Sequence, residues 1–190
     1  MLIGKQVRLA EYEPSFAPFI TEWMNDPQYW GPFYNVWAST QPQWEEQLDK
    51  SGDDTRASFV IKTREDDRPL GTIGYFTPST IPSLFRGLEI WYQVHPNERG
   101  HGIATQAAAI LVDHLFSALP QHRVQATVID GNDGSRGVLE RIGMRHEGLM
   151  RQITFLRGEY MDMHIYGITR GDWSSEAEYR QRFDFLESQS

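Results

Sequence analysis

Between residues 94 and 105 the chain reads Val94-His95-Pro96-Asn97-Glu98-Arg99-Gly100-His101-Gly102-Ile103-Ala104-Thr105, and residue types at this spacing can hold an anion. Gly100 and Gly102 tolerate positive φ and let the backbone come close to a ligand. The first N–H groups of a helix that starts after them have no intrahelical partners and point outward, where phosphate oxygens fit. A plain tight strand-to-helix connection would use the same glycines, and spacing alone does not separate the two uses. Two familiar phosphate loops are excluded: no Gly-Lys-Ser/Thr follows, and the three-glycine dinucleotide fingerprint is absent.

Composition narrows the remaining chemistry. With no cysteine, there are no disulfides, thiolate metal sites or cysteine-linked covalent intermediates. The six histidines (His95, His101, His114, His122, His146, His164) show no metal-ligand spacing, so no metal site is expected. A net charge of −8 disfavours a general nucleic-acid binder and suits a cationic small molecule or peptide, although an acidic surface also serves solubility alone. No apolar run approaches the ~18 residues of a membrane span, and the N-terminus lacks the apolar stretch of a signal peptide. A cytoplasmic chain without membrane or nucleic-acid partners is the expectation.

The elements that must position the glycine turn can be read around it. Residues 88–94 are rich in β-branched and aromatic side chains and form the strand before it. Ile103, Ala107, Ile110, Leu111, His114 and Leu115 recur at helical spacing after it. Upstream come a strand at 6–10, an amphipathic helix at 14–24 and an aromatic loop at 29–37 too irregular for a strand. A second helix at 41–50 and a hairpin of strands at 57–63 and 70–76 follow. Downstream come a strand at 123–129, a short helix at 135–142 closed by Gly143, and two strands at 150–156 and 160–168. A polar tail helix at 174–188 would contact the body through Tyr179, Phe183 and Leu186. At 190 residues and without repeats or linkers, this order predicts a single α/β domain over 1–190, with a mixed sheet whose middle is the strand before the turn.

The residues also match a known family. Arg99-x-x-Gly102-x-Ala104 after a Tyr-x-Val-x-Pro strand resembles the acetyl-CoA motif of the GNAT superfamily of N-acetyltransferases. The segment Asn132-x-x-Ser135-x-x-Val138-Leu139-Glu140-x-x-Gly143-Met144 is similar to the second motif of its ribosomal-protein N-acetyltransferase (RimJ/RimL-like) branch. Glu147-Gly148-x-x-Arg151, Gly158-x-x-x-Asp162 and Trp23-x-x-Asp26-Pro27 also match that branch. The resemblance covers about residues 5–170, leaving 171–190 as a tail, and it implies a central sheet splayed in the middle and flanked by helices.

The resemblance implies a role for each motif residue. The backbone of Arg99, Gly100, His101, Gly102, Ile103, Ala104 and Thr105 would hold the CoA pyrophosphate. The Val94 backbone would pair with pantetheine and turn its N–H to the acetyl oxygen, and Asn132 would bond pantetheine or cap its helix. The Arg99 side chain is either part of this site or a solvated surface charge. Ser135 would contact or protonate the departing thiolate, or else cap the short helix. Glu89 shares a strand face with Trp91 and Gln93 and is the carboxylate placed to accept the amine's proton through a water; a purely structural carboxylate is the other reading. His95 is a lesser candidate for the base. Trp30, Phe33, Tyr34 and Trp37 lie where the family places its acceptor wall, though clustered aromatics also build cores. The implied reaction is direct attack of a primary amine on acetyl-CoA in a ternary complex. The acceptor would be a protein N-terminus or a small molecule such as an antibiotic or polyamine, on a monomer or homodimer. The alternative is a non-catalytic acyl-CoA-binding or regulatory module.

Overall fold

The computed structural model describes residues 2–35, 40–43, 55–78 and 87–186. Burial alternates along the first long strand, with Val7 and Leu9 inside and Arg8 partly out, as a strand with one covered face requires. This strand, β2 (Val7–Glu11), pairs with a two-residue β1 (Leu2–Ile3) that is too short to carry a periodic signal. Pro14–Phe16 makes a 3-10 turn into α1 (Ala17–Asn25), which buries Ala17, Ile20 and Met24.

The aromatic segment differs from the expected irregular loop. Its first part is helical, with α2 (Pro27–Trp30) followed by a 3-10 turn over Gly31–Phe33, and residues 36 and 37 lie outside the described residues. The cause is local: the Asp26 carboxylate accepts from Gln28 N–H at 2.8 Å, and Pro27 fits the first helical position because its missing N–H would be unpaired there anyway. Of the expected helix at 41–50, the described residues 41–43 are helical, and the rest lies outside the described residues.

Strands β3 (Arg56–Thr63), β4 (Pro69–Phe76) and β5 (Gly87–Val94) form an antiparallel meander. Helix α3 (Ile103–Ala118) then crosses to β6 (Arg123–Ile129), which runs parallel to β5. Helix α4 (Asp133–Arg141), strands β7 (Arg145–Leu156) and β8 (Glu159–Thr169), and helices α5 (Arg170–Trp173) and α6 (Glu176–Gln181) complete the order. The eight strands make one sheet ordered β1-β2-β3-β4-β5-β6-β8-β7. Each of the three strands from 123 onward lies within a few residues of its expected place, but β7 begins five residues before the expected 150. There the exposed run of β7 hides the alternation that sequence reading depends on.

Helix α3 is buried nearly all round, so it needs cover on the side away from the sheet. The tail supplies it as two short helices in place of the single one expected. Asp113 of α3, 3% exposed, accepts from Trp173 Nε1 at 3.1 Å and pairs with Arg180 at 2.7 Å. Tyr179 is fully buried, Phe183 and Leu186 pack on the same core, and Gly4 bridges Leu186 beside β1. The three contacts named from sequence are thus among those the tail uses.

One feature of the sheet positions everything that follows. Strands β5 and β6 pair only at Gly87↔Arg123, Leu88↔Val124 and Glu89↔Gln125, although β5 continues to Val94 and β6 to Ile129. Beyond Glu89 the two central strands part, and the sheet has a fork in its middle.

Candidate active site

Where the fork opens, β5 presents backbone. His95 N–H donates to Leu70 O on β4 at 2.8 Å, and successive residues of a strand face opposite edges. The Val94 N–H and C=O are therefore directed at the fork. The Val94 carbonyl is taken by Arg99 Nε at 3.0 Å.

Past Val94, His95 stands just beyond the end of the strand. Its ring packs against Trp23 with centroids 5.5 Å apart, and its Nδ1 accepts from Asn97 N–H at 3.4 Å, capping the 3-10 turn Pro96–Glu98. Gly100 has φ 82° and Gly102 φ 77°, the left-handed region that a side chain disfavours. A Cβ placed on either glycine would meet no protein atom within 4 Å. Neither glycine is thus required to relieve a protein clash, and the space above both is open. Gly102 is also the N-cap of α3, with no side-chain cap and no acidic residue in the first turn. The free amides and the positive end of the helix dipole at Ile103, Ala104 and Thr105 make this end receptive to an anion.

Across the fork, Asn132 caps α4 by accepting from Ser135 N–H at 3.2 Å. Capping is thus Asn132's work, and the Ser135 hydroxyl is left for another partner. That partner is the Tyr92 hydroxyl, 2.8 Å from Ser135 Oγ; Tyr92 also donates to Ser135 O at 3.2 Å. Burial pushes the Tyr92 phenol well above its ordinary range, against a smaller downward pull from Ser135.

On the opposite face of β5, the side of Gln93 and α2, Glu89 sits at the base of the fork. Its Oε2 accepts from Gln125 Nε2 at 2.9 Å and its Oε1 from Thr127 Oγ1 at 2.7 Å, so a carboxylate of β5 is held by two side chains of β6. Each oxygen keeps a lone pair free after these bonds. Glu89 also acts on the Tyr34 phenol, which burial first and this carboxylate second raise above the usual value.

These parts meet in one cleft of about 440 Å³. Val94, Arg99, Gly100, Gly102, Ile103, Ala104, Thr105, Asn132 and Ser135 line it on one side of the fork, and Trp30, Phe33 and Tyr34 on the other. Trp30 and Tyr34 lie 5.7 Å apart as tilted rings, and the Phe33 ring reaches the position of Gly131, at 3.7 Å from where its Cβ would be. Of the expected site residues that are described, His101 and Glu89 are not part of the cleft's lining. Trp37 lies outside the described residues. The Arg99 residue is exposed at the cleft, and its side chain is tied to the backbone there: besides Val94 O, its Nη2 donates to Tyr29 O.

Tyr92, Gln93 and Arg141 also line the cleft and were not singled out from the sequence. Tyr92 could have been found, because it is two residues from Val94 and strand parity puts both on one face. Arg141, two helical turns past Ser135, carried no such cue. The histidines show one grouping that spacing did not suggest, with His146 Nε2 2.9 Å from His164 Nδ1 and His164 Nε2 3.0 Å from Asp130; among the described residues no cluster suits a metal ion.

Comparison with known proteins places this geometry. Residues 6–145 match the model of the acetyltransferase (GNAT) domain. A probable N-acetyltransferase of Bacillus subtilis, YjcK, is 33% identical over 130 residues, 68% of this chain and 69% of that protein. Among solved structures, Mycobacterium smegmatis RimJ in complex with CoA-disulfide superposes with a TM-score of 0.79 at 24% identity, covering 94% of this chain and 91% of that one. Spermidine N-acetyltransferase from Vibrio cholerae, in complex with CoA and spermine, gives a TM-score of 0.77 at 22% identity over 90% and 99%. With an opened central sheet, a glycine cradle on α3 and a family model spanning most of its length, this chain belongs to the GNAT acetyltransferase family.

Proposed function

We propose that this protein transfers an acetyl group from acetyl-CoA to a primary amine by direct attack within one ternary complex. The observation that carries the reading is the fork, which opens a single cleft from the glycine cradle on one face of the sheet to the aromatic wall on the other. Acetyl-CoA would supply the activated acyl group. The cradle fits it because the space above Gly100 and Gly102 is clear of protein and the α3 amides lack caps; Arg141 adds positive charge on the same side.

The Val94 N–H faces the fork, where it would stabilise negative charge developing on the acetyl oxygen. Glu89 would take the proton of the attacking amine through a water, since it lies at the base of the fork and each oxygen retains an acceptor site. Ser135 Oγ–H would donate to the departing thiolate. This is a hydrogen bond to the thiolate and not a proton transfer: the Ser135 hydroxyl and the Tyr92 phenol that holds it both keep their protons, each being a weaker acid than a thiol, near 8.5 in the ordinary case. No cysteine exists to form an acyl-enzyme.

The acceptor would present its amine at the base of the fork and its body to Trp30, Phe33 and Tyr34. An amine with an apolar or cationic portion suits such a wall, through area burial and cation–π attraction. Both a protein N-terminus and a small polyamine-like molecule meet that description. The test is thiol release from acetyl-CoA against a panel of N-terminal peptides, polyamines and aminoglycoside-type amines. Turnover on one class names the acceptor, while tight CoA binding with no turnover on any would replace the enzyme with a binding module.

A further inference from the structure

Arg99 stands in the cradle by sequence, yet its side chain works elsewhere. Its backbone lies between Glu98 and Gly100, both at the cleft, while Nε donates to Val94 O at 3.0 Å and Nη2 to Tyr29 O. Tyr29 O is the carbonyl near the end of α2, one residue before Trp30 opens the aromatic wall. The same carbonyl accepts from Gln93 Nε2, and the Tyr29 ring is itself fixed, fully buried with its hydroxyl 3.1 Å from Thr72 Oγ1. One guanidinium thus joins three things: the anion-binding turn, the strand end whose N–H faces the fork, and the base of the acceptor wall. Its planar fork of donors can hold two carbonyls at fixed separation, which a lysine ammonium on a flexible stem cannot do as well. The Arg99 guanidinium is also partly desolvated, which lowers its pKa, without ceasing to be a cation.

We propose that Arg99 is a positioning residue that couples the two half-sites: filling the cradle orders the turn, the turn sets the guanidinium, and the guanidinium sets Val94 and the acceptor wall in register. The inference rests on the reading of the cleft as a CoA and amine site. It goes beyond that reading in making occupancy of one half a determinant of the other, a coupling that need not involve any atom of CoA touching the Arg99 side chain.

The test compares wild type with Arg99→Met, which keeps the aliphatic stem, and with Gln93→Leu, which removes the second donor on Tyr29 O without touching the turn. CoA affinity is measured by calorimetry, and backbone hydrogen exchange is followed over 96–105 and 27–35 with and without CoA. In wild type, CoA slows exchange in both segments. In Arg99→Met the protection at 96–105 stays and CoA affinity changes by less than about threefold, while the protection at 27–35 is lost and the amine KM rises about tenfold. Gln93→Leu reproduces the acceptor defect in part, and Arg99→Lys restores less than half of the lost protection. A tenfold loss of CoA affinity with exchange at 27–35 behaving as in wild type would make Arg99 a phosphate ligand and overturn the proposal. So would wild-type exchange at 27–35 that ignores CoA while 96–105 responds. Failure of CoA to protect even 96–105 in wild type would instead sink the reading of the cleft, and the inference with it.

Discussion

On the proposed reading, the two sides of the cleft would hold their ligands by different means. On the cradle side, Gly100, Gly102 and the first turn of α3 offer main-chain amides beside open space. On the acceptor side, Trp30, Phe33 and Tyr34 offer rings, and the backbone of α2 serves only to carry them. A site made of amides depends on backbone angles and is lost when those angles are forbidden. A site made of rings depends on shape and can be retuned one residue at a time. The first kind suits a ligand that never changes and the second a ligand that does, which is how one fold can serve many amines.

Five substitutions would break or sharpen that contrast, the largest effect first and the smallest last. Ser135→Ala, which removes the hydroxyl facing Tyr92, is expected to lower kcat about 100-fold with little change in the KM for acetyl-CoA. Tyr92→Phe should cost about fivefold alone and nothing further in the Ser135→Ala background, a double-mutant cycle read from steady-state rates. Gly102→Val forces a branched residue to φ 77° and fills the open space, so CoA affinity by calorimetry should fall at least about tenfold, the equivalent of about 1.4 kcal/mol. The αL strain of about 1–2 kcal/mol would lower Tm as well, and unchanged affinity would remove the cradle assignment. Phe33→Leu should leave CoA binding alone and raise the amine KM about threefold, the scale of one aromatic contact. The smallest effect belongs to Arg157→Ala. Arg157 donates to Gly31 O at 2.8 Å from the β7–β8 turn, an exposed contact worth about 0.5–1 kcal/mol, so an amine KM shift of about twofold with unchanged kcat is expected.

How much of this was legible in the sequence follows the same division. The glycine turn and the helix after it were legible because glycine spacing and helix periodicity are local, while their use as a cradle came from the resemblance; the short helix after Asn132 came with its own cap. The fork was not visible in residue types at all; it came from the family resemblance, since no local pattern tells a strand where its partner will leave it. The Glu89 bonds to Gln125 and Thr127 join residues 36 and 38 positions apart, and the Arg99 contact with Tyr29 spans 70, distances over which spacing carries no signal. The aromatic segment was assigned as irregular although Asp26-Pro27 announces a helix start, because four-residue α2 is too short to show a period. For Glu89, sequence reading left a proton acceptor and a structural carboxylate as alternatives. Its two hydrogen bonds show the structural part, and the proton-accepting part is a proposal.

The fork also changes the number of edges the sheet must manage. A sheet of eight strands ordinarily has two edges, and unpaired edges invite other chains to add on. This one has four over part of its length. The outer ones are blunted in different ways: β1 is two residues long, and β7 is broken by register shifts near His146/Gly148 and Met150/Thr154. The inner two face each other across the fork, where β5 and β6 no longer pair. On the proposed reading, an extended, thin molecule would lie along β5 there and accept from the Val94 N–H as a neighbouring strand would. The ligand would then serve as the inner edge's cover, in the place of a strand that the chain itself does not supply.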